Sequence, residues 1–258
     1  MAQVLMRPWG AMHVRFDGPE DGPSLVFANS LGTDFRIWDA VVQQLPEWRI
    51  GRFDKPGHGL SDRAPITSID SMADDAAALI EVMGGRAAFV GLSIGGLIGL
   101  SLASRHAECV SSLVLSNTAA KIGTTDSWQT RIDTVEQDGL PSIADGVLEK
   151  WFSPAFQASD DIAPWRNMLT RTDPQGYADA CRAIADADLR NAAPGLDLPV
   201  MAIAGSLDGS TPPDLVRETA AMIPGSRFEM IEGVGHIPCV ETPDQYATLL
   251  RNFLETTR

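Results

Sequence analysis

A serine, an aspartate and a histidine, far apart in the chain, each stand in a context suited to nucleophilic catalysis. Gly91-Leu92-Ser93-Ile94-Gly95 is a G-x-S-x-G pattern between an apolar run that reads as a strand and a small-residue run that reads as a helix. A chain that passes straight from strand to helix brings the two backbones together, so Gly91 and Gly95 have no room for side chains and the serine projects alone. Its oxygen then stands at a helix N-terminus, whose dipole favours developing negative charge. A glycine-rich turn with an incidental serine is the plainer alternative; the flanking strand and helix favour the nucleophile.

A serine nucleophile needs a base, and four histidines can supply one. His13 lies in an early strand pattern and reads as a sheet-surface or edge residue. His106 follows the Ser93 helix, at the end where a positive partner suits the dipole. His58 sits in the tight turn Asp54-Lys55-Pro56-Gly57-His58-Gly59, before the nucleophile in sequence. His236, in Glu232-Gly233-Val234-Gly235-His236, comes just after the last strand pattern and is the expected general base. The acid that orients it is expected at Asp208, in Gly205-Ser206-Leu207-Asp208-Gly209 after the strand Val200–Ala204. An acid after the Ser112–Asn117 strand would need a carboxylate there, and Asn117 is neutral. The oxyanion hole is expected from two backbone N–H groups: Ile94, which follows the serine, and Leu31, in the loop after the Ser24–Asn29 strand.

These residues need a scaffold, and the pattern supplies one. Short apolar runs at Met12–Phe16, Ser24–Asn29, Arg49–Asp54, Ala87–Gly91, Ser112–Asn117, Pro199–Gly205 and Arg227–Ile231 read as strands, several of them continuously apolar as in a parallel sheet covered on both faces. Helical patterns follow at Ile37–Leu45, Ser71–Met83, Ile94–Ser104, Pro213–Met222 and Pro243–Leu254. The alternation predicts an α/β fold with a mostly parallel, doubly wound sheet. It breaks between Asn117 and Pro199, where helical patterns occur without a convincing strand and where Trp128, Trp151 and Trp165 lie. We expect a core domain of residues 1–117 and 199–258, with residues 118–198 a helical lid inserted before the penultimate strand, over the crevice where α/β folds place ligands.

Composition excludes several function classes. The 258 residues carry 34 acidic and 20 basic side chains, a net charge of −14, which repels phosphate backbones and acidic lipid surfaces; neither nucleic acid nor membrane is expected as a partner. With 44% apolar residues the chain is globular rather than disordered. The uncharged run 87–104 imitates a membrane span, but four glycines, three serines and a change of character halfway make it a strand followed by a helix. Cys109, Cys181 and Cys239 are widely spaced and odd in number, so they read as buried small hydrophobes rather than disulfides or metal ligands. With a first segment unlike a signal peptide, a cytoplasmic protein is expected.

The chain resembles the α/β-hydrolase superfamily over essentially its whole length, and within it the bacterial 3-oxoadipate enol-lactonases. The residues that carry the likeness are Asn29-Ser30-Leu31-Gly32, Gly91-Leu92-Ser93-Ile94-Gly95-Gly96, Ser116-Asn117-Thr118-Ala119-Ala120-Lys121-Ile122-Gly123 and Cys181-Arg182-Ala183-Ile184-Ala185-Asp186-Ala187-Asp188-Leu189-Arg190. The last two bracket the lid. The order Ser93, Asp208, His236 is also the one α/β-hydrolases use. One departure is Pro56, where the fold commonly has Arg in an Asp-x-Arg-Gly-x-Gly loop.

The resemblance implies opening of 3-oxoadipate enol-lactone by water to 3-oxoadipate, in the β-ketoadipate pathway of aromatic catabolism, with neither metal nor organic cofactor. The implied substrate is a small anionic lactone, so the lid should supply a cation for its carboxylate. Arg131, Lys121, Arg171, Arg182 and Arg190 are candidates; Arg131 is favoured because Trp128, three residues before it, shares its helix face. Another hydrolase of this fold, acting on neutral esters or carbon–carbon bonds, is the first alternative, and a ligand receptor without turnover the second. A haloalkane dehalogenase would need a carboxylate where Ser93 stands.

Overall fold

The structure, a computed structural model, describes residues 3–64 and 67–257, so the outermost ends of the expected core segments lie outside the described residues. Eight strands form one sheet: β1 (Gln3–Arg7), β2 (Gly10–Asp17), β3 (Ser24–Ala28), β4 (Arg49–Phe53), β5 (Ala87–Leu92), β6 (Val110–Ser116), β7 (Val200–Gly205) and β8 (Arg227–Ile231). Their spatial order is β1-β2-β4-β3-β5-β6-β7-β8. β1 pairs with β2 and β2 with β4 antiparallel, while every pairing from β4 through β8 is parallel.

The helices are α1 (Asp39–Val42), α2 (Ile69–Val82), α3 (Ile94–Arg105), α4 (Thr125–Asp138), α5 (Ala144–Trp151), α6 (Pro154–Gln157), α7 (Ala163–Thr170), α8 (Pro174–Asp186), α9 (Pro213–Met222), α10 (Pro238–Glu241) and α11 (Pro243–Glu255). Strands β5 and β7 are buried along their whole length, which requires cover on both faces of the sheet. α2 packs on α3, and α1 on α11. Between β6 and β7 the described residues form five α-helices, α4–α8, with three short 3₁₀ turns and no strand, and α4 packs on α8.

The uncharged run 87–104 divides into β5 and α3, as its glycines imply. Three expectations need correction. The strand β1 lies before the first one expected: it is a short edge strand with Val4 and Met6 exposed, so no buried face marks it in the sequence. The helix expected over Ile37–Leu45 is a 3₁₀ turn, Phe35–Trp38, followed by the single turn α1, because Asp34 caps the chain earlier by accepting from the Arg36 N–H. Of the cysteines, Cys181 and Cys239 are buried but Cys109 is half-buried.

The parallel strands end along one edge of the sheet, and α3 begins there under tight steric control. A Cβ on Gly91 would run into the Gly95 carbonyl, and one on Gly95 into the carbonyl of Ala28 on the neighbouring β3. Both are backbone atoms that cannot swing away. Gly95→Ala therefore forces α3 off the sheet, at an overpacking cost of about 1–3 kcal/mol. For a chain of this length that lowers Tm by roughly 2–12 °C, which thermal unfolding checks. An unchanged Tm would mean that α3 has slack the packing does not show.

Candidate active site

Ser93 lies immediately after β5 and ahead of α3, at φ +59° and ψ −117°, a backbone conformation L side chains rarely adopt. The turn is held from two sides. Ser93 N–H donates to the Ser116 carbonyl at 2.9 Å, and Thr118 Oγ1 donates to the Ser93 carbonyl at 2.7 Å. Ile94 is the first residue of α3, so its N–H has no intrahelical acceptor.

Asp208 follows β7 by three residues and His236 follows β8 by five. Both are buried, and His236 Nδ1 lies 2.8 Å from Asp208 Oδ2. The carboxylate is surrounded by further donors. Asn117 Nδ2 reaches Oδ2 at 2.9 Å, Thr211 Oγ1 reaches it at 2.8 Å, and the N–H groups of Ser210 and Thr211 reach Oδ1 at 2.7 and 3.0 Å. Burial acts to raise the Asp208 pKa, but the charge and hydrogen bond of His236, with those of Asn117 and Thr211, outweigh it and hold the group below its ordinary value. An ionised Asp208 only accepts, so the proton of the pair sits on Nδ1 and Nε2 is left as the basic nitrogen. The His236 backbone is tied down as well, its N–H donating to the Trp151 carbonyl at 2.8 Å.

Ser93 and His236 line one cavity of about 180 Å³ with Leu31, Trp128 and Arg131. Of the residues expected to act, only Ile94 and Asp208 are not in its lining; Ile94 follows Ser93 in the chain, and Asp208 bonds His236. Two side chains on the wall are cationic, Arg131 of α4 and Lys150 of α5, and none of the residues lining the cavity is a carboxylate. Arg131 stacks on Trp128 at 5.3 Å from its ring centroid and makes a long hydrogen bond of 3.5 Å to the Tyr177 hydroxyl. Burial raises the Tyr177 pKa, so the phenol keeps its proton.

The other candidate cations are accounted for differently. Lys121 and Arg190 pair with Asp188, and Arg182 with Glu136 and Asp179. Arg171 borders a second cavity, about 900 Å³, between α7 and the loops after β3 and β4. That cavity is larger but contains neither Ser93 nor His236. Of the remaining histidines, His106 pairs with Asp74 at 2.7 Å beyond the end of α3. His13 is not a simple edge residue: its Nδ1 lies 2.7 Å from Asp54 Oδ2 and its ring stacks against Phe35.

Sequence reasoning passed over Asn117, Thr211, Lys150 and Tyr177. Asn117 had a signal, a polar residue directly after a strand; Thr211 and Tyr177 carry none, since only the fold brings them near. Among the described residues no group of three or more His, Cys, Asp or Glu side chains is arranged to hold a metal, and no helix is long and apolar enough to cross a membrane.

Comparison with known proteins places this geometry. The family model for the alpha/beta hydrolase fold matches residues 23–243. The chain is 33% identical to 3-oxoadipate enol-lactonase 1 of Acinetobacter baylyi, over 98% of this chain and 96% of that protein. It is also 33% identical to 3-oxoadipate enol-lactonase 2 of the same organism, over 89% and 87% of the two chains. Among solved structures, the enol-lactonase from Burkholderia xenovorans superposes with a TM-score of 0.94 at 35% identity, covering 98% of this chain and 100% of that one.

The lowered pKa of Asp208 fixes the sign of one pH effect. A carboxyl whose folded value is depressed contributes stability that is complete above its unfolded value, near 3.8, and is lost as pH falls through the folded value. The stability advantage of the wild type over Asp208→Asn, from urea unfolding, should therefore shrink between about pH 6 and about pH 3. An advantage equal at both values would contradict the assignment.

Proposed function

The chain belongs to the alpha/beta hydrolase fold family, and on that premise we propose that it is a serine hydrolase that opens a small anionic lactone, 3-oxoadipate enol-lactone, to 3-oxoadipate. The observation that carries this reading is the wall of the Ser93 cavity. In a chain of net charge −14, that wall holds Arg131 and Lys150 and no carboxylate. A charge distribution so opposed to the rest of the molecule suits an anionic substrate. The volume, about 180 Å³, is below the roughly 300–1,000 Å³ of sites for drug-sized ligands and suits a single small ring. The likeness to the two Acinetobacter enol-lactonases supports the same substrate class.

In this mechanism Ser93 Oγ attacks the lactone carbonyl while His236 Nε2 takes its proton, and the N–H groups of Leu31 and Ile94 receive the oxyanion. Asp208 stabilises the imidazolium. The ring C–O bond breaks, the enol oxygen takes the proton from His236, and the enol tautomerises to the ketone. Water then attacks the acyl-serine, giving one proton to His236, which returns it to Ser93 as the acid leaves. No step requires a metal or organic cofactor. Arg131, backed by Trp128, holds the substrate carboxylate from the lid, residues 118–198, and the proton transfers run on the core.

Steady-state hydrolysis of the enol-lactone beside p-nitrophenyl acetate tests the reading. Lactone turnover is expected to disappear in Ser93→Ala. Ester hydrolysis without lactone turnover would keep the nucleophile and discard the substrate; turnover of neither would favour a receptor.

Arg131→Ala removes a charge-assisted contact, which is worth about 1.5–3 kcal/mol, so kcat/KM for the lactone should fall about 10- to 150-fold. The neutral ester should change little. Equal losses on both substrates would assign Arg131 to the architecture of the lid rather than to the substrate carboxylate.

A further inference from the structure

Lys55 is buried two residues beyond the end of β4 and is not part of the lining of the Ser93 cavity. Its Nζ donates to the Ser30 carbonyl at 2.6 Å and to the Thr33 carbonyl at 3.2 Å. The carboxylates nearest in charge, Asp54 and Asp34, are engaged elsewhere. Asp54 accepts from the Phe35 and Leu60 N–H groups and faces His13 Nδ1, and Asp34 pairs with Arg36. Burying an ammonium this way is costly. Burial drives the Lys55 pKa down to about 7, with Asp54 and then Asp34 opposing.

The carbonyls do not need the charge. Ser30 O already accepts from Thr33 Oγ1 at 2.8 Å and from the Thr33 N–H at 3.3 Å, and Thr33 O accepts from Asn29 Nδ2. An apolar side chain at position 55 would leave both satisfied, so the ammonium serves something other than completing hydrogen bonds.

The Ser30 carbonyl and the Leu31 N–H belong to one planar trans peptide, and the two bonds point in opposite directions. A cation held on the oxygen fixes the direction of the N–H and polarises it as a donor. Ser30 and Leu31 border the cavity with Ser93, and among the described residues no protein acceptor takes the Leu31 N–H. The next peptide is pinned by the same loop. The Gly32 N–H donates to His58 Nε2 at 3.1 Å, and His58 Nδ1 lies 3.0 Å from the Pro56 carbonyl. Burial, reinforced by the Lys55 charge, holds the His58 pKa well below its usual value, so the ring is neutral and can accept. Gly32 is thereby committed to His58, and Leu31 is left for a ligand.

We propose that Lys55 is a positioning residue for acyl transfer: its ammonium fixes and polarises the Ser30–Leu31 peptide so that the Leu31 N–H binds the oxyanion. This rests on the serine-hydrolase reading of Ser93 but not on which lactone or ester is turned over. With Pro at position 56, the bracing of the oxyanion loop falls to Lys55 and His58 on either side of it.

The test is Lys55→Met, assayed on p-nitrophenyl acetate so that the result does not depend on the lactone. kcat should fall about 10- to 100-fold, less than the roughly 100- to 1,000-fold of deleting an oxyanion donor outright, with KM within about twofold. The pH profile separates this from a structural role. In the wild type kcat falls on the alkaline side as Lys55 loses its proton; in K55M that alkaline fall is absent. A K55M enzyme with wild-type kcat overturns the proposal, and so does one whose loss follows its folded fraction while the alkaline fall persists. If K55M does not fold, the wild-type profile decides. A kcat that declines above about pH 7 at constant KM supports Lys55, and one level to about pH 10, where a buried lysine is neutral, overturns it. Ser93→Ala is run in parallel: turnover kept there sinks the serine reading itself, whereas turnover lost there but kept in K55M sinks only the role of Lys55.

Discussion

The site depends on one steric constraint: β5 passes into α3 with no space for a side chain at Gly91 or Gly95. The first glycine lets the turn close and so isolates Ser93. The second sets the start of α3 against the carbonyl of Ala28, the last residue of β3. That contact brings the loop carrying Ser30 and Leu31 to the N-terminus of α3, where Ile94 has an unpaired backbone N–H. The expected nucleophile and both expected oxyanion donors are therefore placed by backbone packing, which does not relax as side chains do. The cost is concentrated at Ser93, whose positive φ is of the kind that costs about 1–3 kcal/mol and persists only where the surroundings over-determine it. Here the Ser116 carbonyl, Thr118 Oγ1 and the two glycines do so.

Around that constraint the charges are partnered unevenly. The chain carries a net charge of −14, but the carboxylate bonded to His236, Asp208, is absent from the cavity lining and consumed by five donors. The cations follow the opposite rule. Most lid arginines are paired with acidic neighbours at the surface, whereas Arg131 meets only a phenol and an indole. In the proposed reaction a guanidinium so placed keeps its charge for the substrate, and Lys55 directs its own charge through a peptide.

Much of this was legible in the sequence because it is local. Gly91–Gly95, the Gly-x-Gly-His236 loop and the Asp208-Gly turn each announce themselves within a few residues, and continuous apolar runs mark β3, β5, β6 and β7. What was not legible is what the fold assembles from distant pieces. Asn117 shows only as a neutral polar residue after a strand until β6 and β7 pair and deliver it to Asp208. Lys55 reads as a turn residue until β3 lies beside β4. The edge strand β1 escaped for a different reason: Val4 and Met6 face solvent, so their apolarity signals no buried face. The shortened helix after Asp34 shows a cap overriding a plausible apolar pattern.

In the proposed reaction, the division of labour between the core and the expected lid, residues 118–198, follows from how firmly each holds its polar groups. On the core, His236 bonds Asp208, while Lys55 and His58 hold successive peptides of the loop after β3. On the lid, Trp128 is held by one bond from its indole to the Ile122 carbonyl, and Arg131 by its stacking on Trp128 and the long bond to Tyr177. Such residues can be exchanged without disturbing the proton transfers beneath them. On that reading the charge and shape of the acceptable substrate vary with α4 and α8, whereas α5 is tied to the chemistry, because the Trp151 carbonyl accepts from the His236 N–H. In the proposed reaction, selectivity for an anion therefore falls to Arg131 and Trp128, and reactivity toward an acyl group to Ser93, Asp208 and His236 at the sheet edge.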